Sequence, residues 1–158
     1  MKKIINPWEG VEGYMCFACS PQNPNGLHME FFEDEDDVVA LWKPTKYEQG
    51  WLDTLHGGIQ STLMDEVAGW VIVRKLQTTG VTSRLEAKFM KSISTKEPQI
   101  SVRGRIKEQK RNAVFLETEI FDSQGELCAR ADLVYFIVSP EKASEEFYFK
   151  GCKIEGEK

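Results

Sequence analysis

The stretch His56-Gly57-Gly58-Ile59-Gln60-Ser61-Thr62-Leu63-Met64-Asp65-Glu66-Val67-Ala68-Gly69-Trp70-Val71-Ile72-Val73, continuing to Gln77, decides how the rest of the chain must fold. It contains no proline, and its apolar residues, among them Ile59, Leu63, Met64, Val67, Trp70 and Val71, point in nearly every direction of a helical wheel. A helix that is apolar nearly all round has to be wrapped by other structure. The expected helix therefore opens at Gly57, runs to about Gln77 and lies buried.

Downstream of it the hydrophobic period changes to two. Thr82 to Met90, Ile100 to Ile106, Ala113 to Phe121 and Leu127 to Val138 read as strands, separated by turn residues at Lys96 to Pro98, Lys110 to Asn112 and Ser123 to Gly125. Ile100, Val102, Gly104 and Ile106 alternate with Ser101, Arg103, Arg105 and Lys107, so one face meets a core and the other meets water. Upstream, Leu27 to Phe32 and Val38 to Trp42 read as a hairpin closed by the carboxylates Glu33 to Asp37, which lack the glycine and spaced ligands of a calcium loop. Two strands, a helix and four strands make an α+β fold, an antiparallel six-stranded sheet wrapped around one long buried helix. Residues 1–26 read as an extended arm and 139–158 as a charged tail beyond Pro140, all within one domain spanning 1–158.

Composition agrees with a protein that builds its own core. The 158 residues are 41% hydrophobic and 28% charged, which excludes a disordered or collagen-like chain. The longest apolar run, Val67 to Val73, is far short of a bilayer span, and Asn6, Pro7 and Glu9 interrupt any leader after Lys2 and Lys3. A cytoplasmic location with no membrane partner is expected. The net charge of −5 argues against a nucleic-acid partner, although residues 84–111 hold nine basic groups against three acidic ones. Such a stripe suits either an outward strand face or a polyanionic small ligand.

Cys16 and Cys19 form a C-x-x-C pair. A redox-active pair opens a helix, whereas Ser20, Pro21, Asn23, Pro24, Asn25 and Gly26 follow here, so redox use is not expected. A zinc site needs a second ligand pair, and His28, Cys128 and Cys152 lack the paired spacing. The four cysteines are therefore read as small buried thiols, with no metal site.

Chemistry concentrates on the first half of the central helix. Gly57 and Gly58 leave backbone N–H groups uncovered at the positive end of the helix dipole, and the Gly57 N–H is the expected donor to a developing oxyanion. Asp65, two turns on, shares its direction with Gly58, Ser61, Gly69 and Ile72, so its carboxylate emerges among mostly small neighbours. A carboxylate in an apolar helix needs a partner, a raised pKa or a role in catalysis. Glu66 projects instead toward Ile59, Trp70 and Val73 and ranks second.

The pattern G-x-x-x-x-x-H-G-G-I-x-x-x-L-x-D-E, from Gly50 to Glu66, resembles the hotdog-fold acyl-CoA thioesterases, in particular their PaaI-like branch. Cys16-Phe17-x-Cys19 followed by Asn23-Pro24-x-Gly26-Leu27 resembles the N-terminal signature of a subgroup of them, so the likeness covers about residues 16–138. It implies hydrolysis of a coenzyme A or acyl-carrier thioester, with no cofactor beyond the coenzyme A of the substrate. It gives Asp65 the part of nucleophile or general base, Gly57 that of oxyanion donor and His56 that of orienting group. Thr82 or Ser83 stands where relatives place a hydroxyl that positions water. The resemblance also implies a homodimer, or a dimer of dimers, in which each active site draws on two subunits. Gly58 and Gln49 then border the substrate, and Lys88, Lys91, Lys110 and Arg111 suit the phosphates of coenzyme A. Leu52-Asp53 stand where many members carry Pro-Gly. The competing readings are a hotdog domain that binds acyl-CoA without turnover, as sensor or scaffold, and a hotdog dehydratase, which places its histidine and acid differently.

Overall fold

The computed structural model describes residues 1–158. Its strands are β1 (Lys2–Lys3), β2 (Phe31–Asp34), β3 (Asp37–Trp42), β4 (Gly80–Phe89), β5 (Ile100–Lys110), β6 (Ala113–Phe121) and β7 (Leu127–Ile137). The helices are α1 (Gly57–Val71), continued by a π-helical turn over Ile72–Leu76, and α2 (Pro140–Phe147). One antiparallel sheet of order β1-β2-β3-β5-β6-β7-β4 curls around α1. This is the hotdog arrangement. The sheet has seven strands where six were expected, because Lys2 and Lys3 pair with Glu33 and Phe32 in a two-residue strand too short to show any periodicity.

Val67 and Ala68 on α1 are fully buried, as are Val102 on β5, Val114 and Ile120 on β6 and Ala129 on β7. Gly104 lets helix and sheet approach, since a Cβ there would lie 2.8 Å from Val67 Cγ1. The helix is not covered all round, however. Asp65, Glu66 and Gly69 are only half-buried, because the curled sheet encloses one side of α1 and leaves this stripe toward a groove.

The two chain ends pack together. Ile4 bridges Ile154, and Trp8 donates from Nε1 to the Phe147 carbonyl at 2.7 Å while its ring meets Trp70 edge-on. Within the tail, Ser139 caps α2 and Pro140 occupies its first turn, the residue pair expected of a helix start. Its amphipathic period spans only eight residues, too few to stand out within a run of charges. No helix is long and apolar enough to cross a membrane.

Candidate functional site

At the start of α1, His56 is the N-cap, with extended φ −60° and ψ 133°, and its Nδ1 accepts the Gly58 N–H at 2.8 Å. That bond leaves Nε2 as the ring donor and also separates the two glycines. The Gly58 N–H is occupied, whereas the first helical N–H, on Gly57, has no acceptor within the helix. A Cβ on Gly58 would sit 3.0 Å from the His56 ring, so the bare backbone is what lets the imidazole fold over the helix end. Gln49, Gly50, His56 and Gly57 line a groove of about 650 Å³ together with Phe89. The loop entering it turns at Asp53, whose φ of 58° is a left-handed conformation that glycine adopts most readily. Gln49 Oε1 accepts the Asp53 N–H at 3.1 Å and ties the loop down.

Asp65 lies in a different groove, of about 590 Å³, lined also by Cys16, Glu66, Gly69, Thr82 and Tyr135. Thr82 donates its hydroxyl to Asp65 Oδ1 at 2.9 Å, and Tyr135 donates to the same oxygen at 2.7 Å. Neither reaches Oδ2. A β-bulge selects Thr82 over Ser83: Thr82 pairs with Tyr135 and Arg84 with Val134, so Ser83 is the extra residue. The bulge also shifts the inward parity of β4, from Thr82 before it to Leu85 and Ala87 after it, which are half-buried between exposed neighbours.

Tyr135 was missed from sequence. Its signal was there, since it shares the inward parity of Ala129, Ala131 and Leu133, and a buried phenol needs a polar partner. Gly69 makes room for it, as a Cβ there would touch the Tyr135 hydroxyl at 3.4 Å. Burial and the neighbouring Asp65 charge keep this phenol protonated, with its pKa well above the usual value.

Glu66 takes the direction its spacing indicated and accepts the Trp70 Nε1–H at 3.0 Å. It also meets the cysteine pair, since Cys16 Sγ lies 3.5 Å from Glu66 Oε1 and 3.0 Å from Cys19 Sγ. Burial pushes the Glu66 carboxyl up to about 7. All four cysteines are free thiols, but Cys16 is half-exposed rather than buried.

The basic stripe is largely neutralised on the sheet itself. Arg103 pairs with Asp34 and Asp37, Arg105 with Asp37 and Glu117, and Lys91 with Asp122 and Glu126. Lys110 lies 3.6 Å from Glu108, and Arg111 is at the β5–β6 turn with φ 56°. Lys88 is exposed on β4 and makes no ion pair, so among the four expected phosphate contacts it and Arg111 keep free charges.

A hotdog sheet around a helix that carries an uncovered N-terminal N–H and a hydroxyl-held aspartate defines the class of the protein. Residues 52–129 match the family model described as Thioesterase superfamily, and the chain belongs to that family. Solved structures give the same fold. A Streptococcus pneumoniae protein described as a hypothetical thioesterase, solved with coenzyme A, is 22% identical at a TM-score of 0.65, over 70% of this chain and 86% of that one. A Streptococcus mutans protein bound to acetyl CoA is 17% identical at 0.65, over 70% and 89%. A Haemophilus influenzae thioesterase is 17% identical at 0.64, over 72% and 80%. No curated protein sequence matches the chain.

Proposed function

We propose that the protein is an acyl-CoA thioesterase of the PaaI-like branch, a hydrolase that acts as a homodimer with sites shared between two copies. The observation that carries this reading is the Asp65 carboxylate, fixed through Oδ1 by Thr82 and Tyr135 with Oδ2 left for chemistry. Oδ2 takes a proton from water as that water attacks the thioester carbon. The carbonyl oxygen becomes negative and is met by a backbone N–H at a helix N-terminus, where the dipole favours it. Collapse of the tetrahedral species expels the thiolate, which takes up the proton, giving free acid and thiol. His56 Nε2 orients the thioester.

The N–H that meets the oxyanion belongs to the second copy. Gly57 and Asp65 are eight residues apart on one helix, about 12 Å along its axis, and one carbonyl cannot reach both. β4 is the edge strand of the sheet, ten residues long, and carries exposed Val81 and Phe89. An unpaired edge of that length is a template for pairing. Thr82 meets Asp65 near one end of β4, while Phe89 at the other end would lie 3.8 Å from a Cβ on Gly57. Antiparallel self-pairing about the middle of β4 therefore sets the aspartate end of one copy beside the glycine end of the other. Lys88, exposed next to Phe89, is then available to the coenzyme A phosphates.

The test is thiol release from short, medium, long-chain and aryl acyl-CoAs by the wild type and by Asp65→Asn. Turnover that disappears in the variant, with fold and dimer retained, is the expected result. Tight acyl-CoA binding without thiol release by the wild type would make this a binding domain instead. Single-turnover hydrolysis in ¹⁸O-water tests the nucleophile role, since ¹⁸O enters Asp65 only through an acyl-enzyme that water opens at the aspartyl carbon.

A further inference from the structure

The thiols of Cys16 and Cys19 are the chemically active groups that thioester hydrolysis leaves unused. The Ser20 N–H donates to the Cys16 carbonyl at 3.1 Å, closing residues 16–20 into one helical turn. The single turn supplies this geometry despite the proline- and asparagine-rich continuation, with two sulfurs three residues apart on one face. The turn is anchored, because the Leu27 and Met29 N–H groups donate to Phe17 and Ala18 at 2.8 Å.

The two sulfurs are unequal. Cys16 is half-exposed on the groove that holds Asp65, while Cys19 is only 6% exposed and lies 2.8 Å from the Tyr14 hydroxyl. Both the Cys19 thiol and the Cys19 N–H donate to Cys16 Sγ, at 3.0 and 3.3 Å. The Glu66 carboxylate oxygen and both sulfurs lie within 4.8 Å of one another. We propose that Cys16 and Cys19 form a reversible dithiol–disulfide pair that exchanges with low-molecular-weight disulfides, Cys16 being the attacking sulfur, Cys19 the resolving one and Glu66 the proton acceptor.

In the first step the Cys16 thiolate attacks one sulfur of R–S–S–R, forming a mixed disulfide and releasing RS⁻. In the second, Glu66 takes the Cys19 proton, and the Cys19 sulfur attacks Cys16 Sγ and expels the second RS⁻. The protein loses two electrons and two protons, and the small disulfide leaves as two thiols. The sulfurs start 3.0 Å apart and need approach by only about 1 Å to reach disulfide length. The groups' acidities follow the same division of labour. The hydrogen bond from Cys19 holds the Cys16 thiol down at about 5, and Cys16 and burial together push Cys19 up. A tetrahedral metal fits less well, because the cluster offers three donor atoms and Glu66 Oε1 is already bonded to Trp70.

The full chain, reduced and then equilibrated with glutathione disulfide, is read by mass spectrometry. The expected product has lost two hydrogens in the peptide that contains both Cys16 and Cys19. Cys19→Ser should trap a mixed disulfide on Cys16, and Cys16→Ser should leave Cys19 unmodified. Wild-type alkylation at pH 6 needs no variant. A thiol at about 5 is then mostly ionised, and after allowing for its lower nucleophilicity Cys16 should react about tenfold faster than an ordinary thiol. The inference is overturned if Cys16 alkylates no faster than an unperturbed peptide thiol or if no intramolecular disulfide forms. A chelatable divalent metal that shields both thiols in the isolated protein would equally overturn it. Masses and alkylation rates do not depend on thioester turnover.

Discussion

Gly57→Pro isolates one N–H group. Gly57 is the first helical residue, where proline is tolerated because its missing N–H would have no helical partner. Proline also requires an extended residue before it, and His56 already has φ −60° and ψ 133°. The nearest atom to an added Cβ is Phe89 Cζ at 3.8 Å, which is ordinary contact distance. The substitution should therefore leave the helix intact while removing the oxyanion donor, and kcat for an acyl-CoA should fall about 100- to 1,000-fold, or roughly 3 to 4 kcal/mol. Activity within about threefold of wild type would refute the role given to this N–H. Mixing the variant with Asp65→Asn under conditions that exchange subunits then tests the shared site. Half of the dimers become mixed, each with one intact site, so about a quarter of wild-type activity should return. A mixture that exchanges subunits and stays inactive would place both groups in one chain's site.

Tyr135→Phe leaves Thr82 as the only donor to Asp65 Oδ1. Turnover should drop about tenfold and denaturant unfolding should show a loss of about 1 to 3 kcal/mol, while acyl-CoA binding to the folded variant changes little. Gly104→Ala puts a Cβ 2.8 Å from Val67 Cγ1 and 3.0 Å from Thr118 Cγ2, and overpacking between helix and sheet should cost about 1 to 3 kcal/mol in the same measurement. Glu33 accepts from Arg74 at 2.9 Å and from Lys75 at 2.8 Å, and the hydrogen bond from Arg74 foremost holds its carboxyl down at about 2. A carboxyl lowered on folding contributes stability above its ordinary pKa and loses it as pH falls through the folded value. Wild type should thus exceed Glu33→Gln by about 2 kcal/mol at neutral pH, and the gap should close between about pH 4.5 and 2. A gap that stays constant over that range would show that the ion pair does not stabilise the fold.

The sequence by itself determined the architecture, because the architecture rests on period. An apolar helix from Gly57 and alternating strands after it can bury their faces in few ways, and Ala113–Phe121 forms the expected strand without adjustment. Spacing also set Asp65 and Glu66 in different directions along α1. Elements too short to establish a period were invisible, namely the two-residue β1 and the eight-residue α2 in a run of charges. What only the tertiary structure decided is which groups meet. The β4 bulge brings Thr82 rather than Ser83 to Asp65, and strand pairing delivers Tyr135 to the same oxygen from 70 positions away. The chain's return from the arm sets Cys16 against Glu66 across 50 positions. Local spacing fixes the direction a side chain leaves its own element. The partner it finds depends on register and curvature of the whole sheet, and no short stretch of sequence contains those.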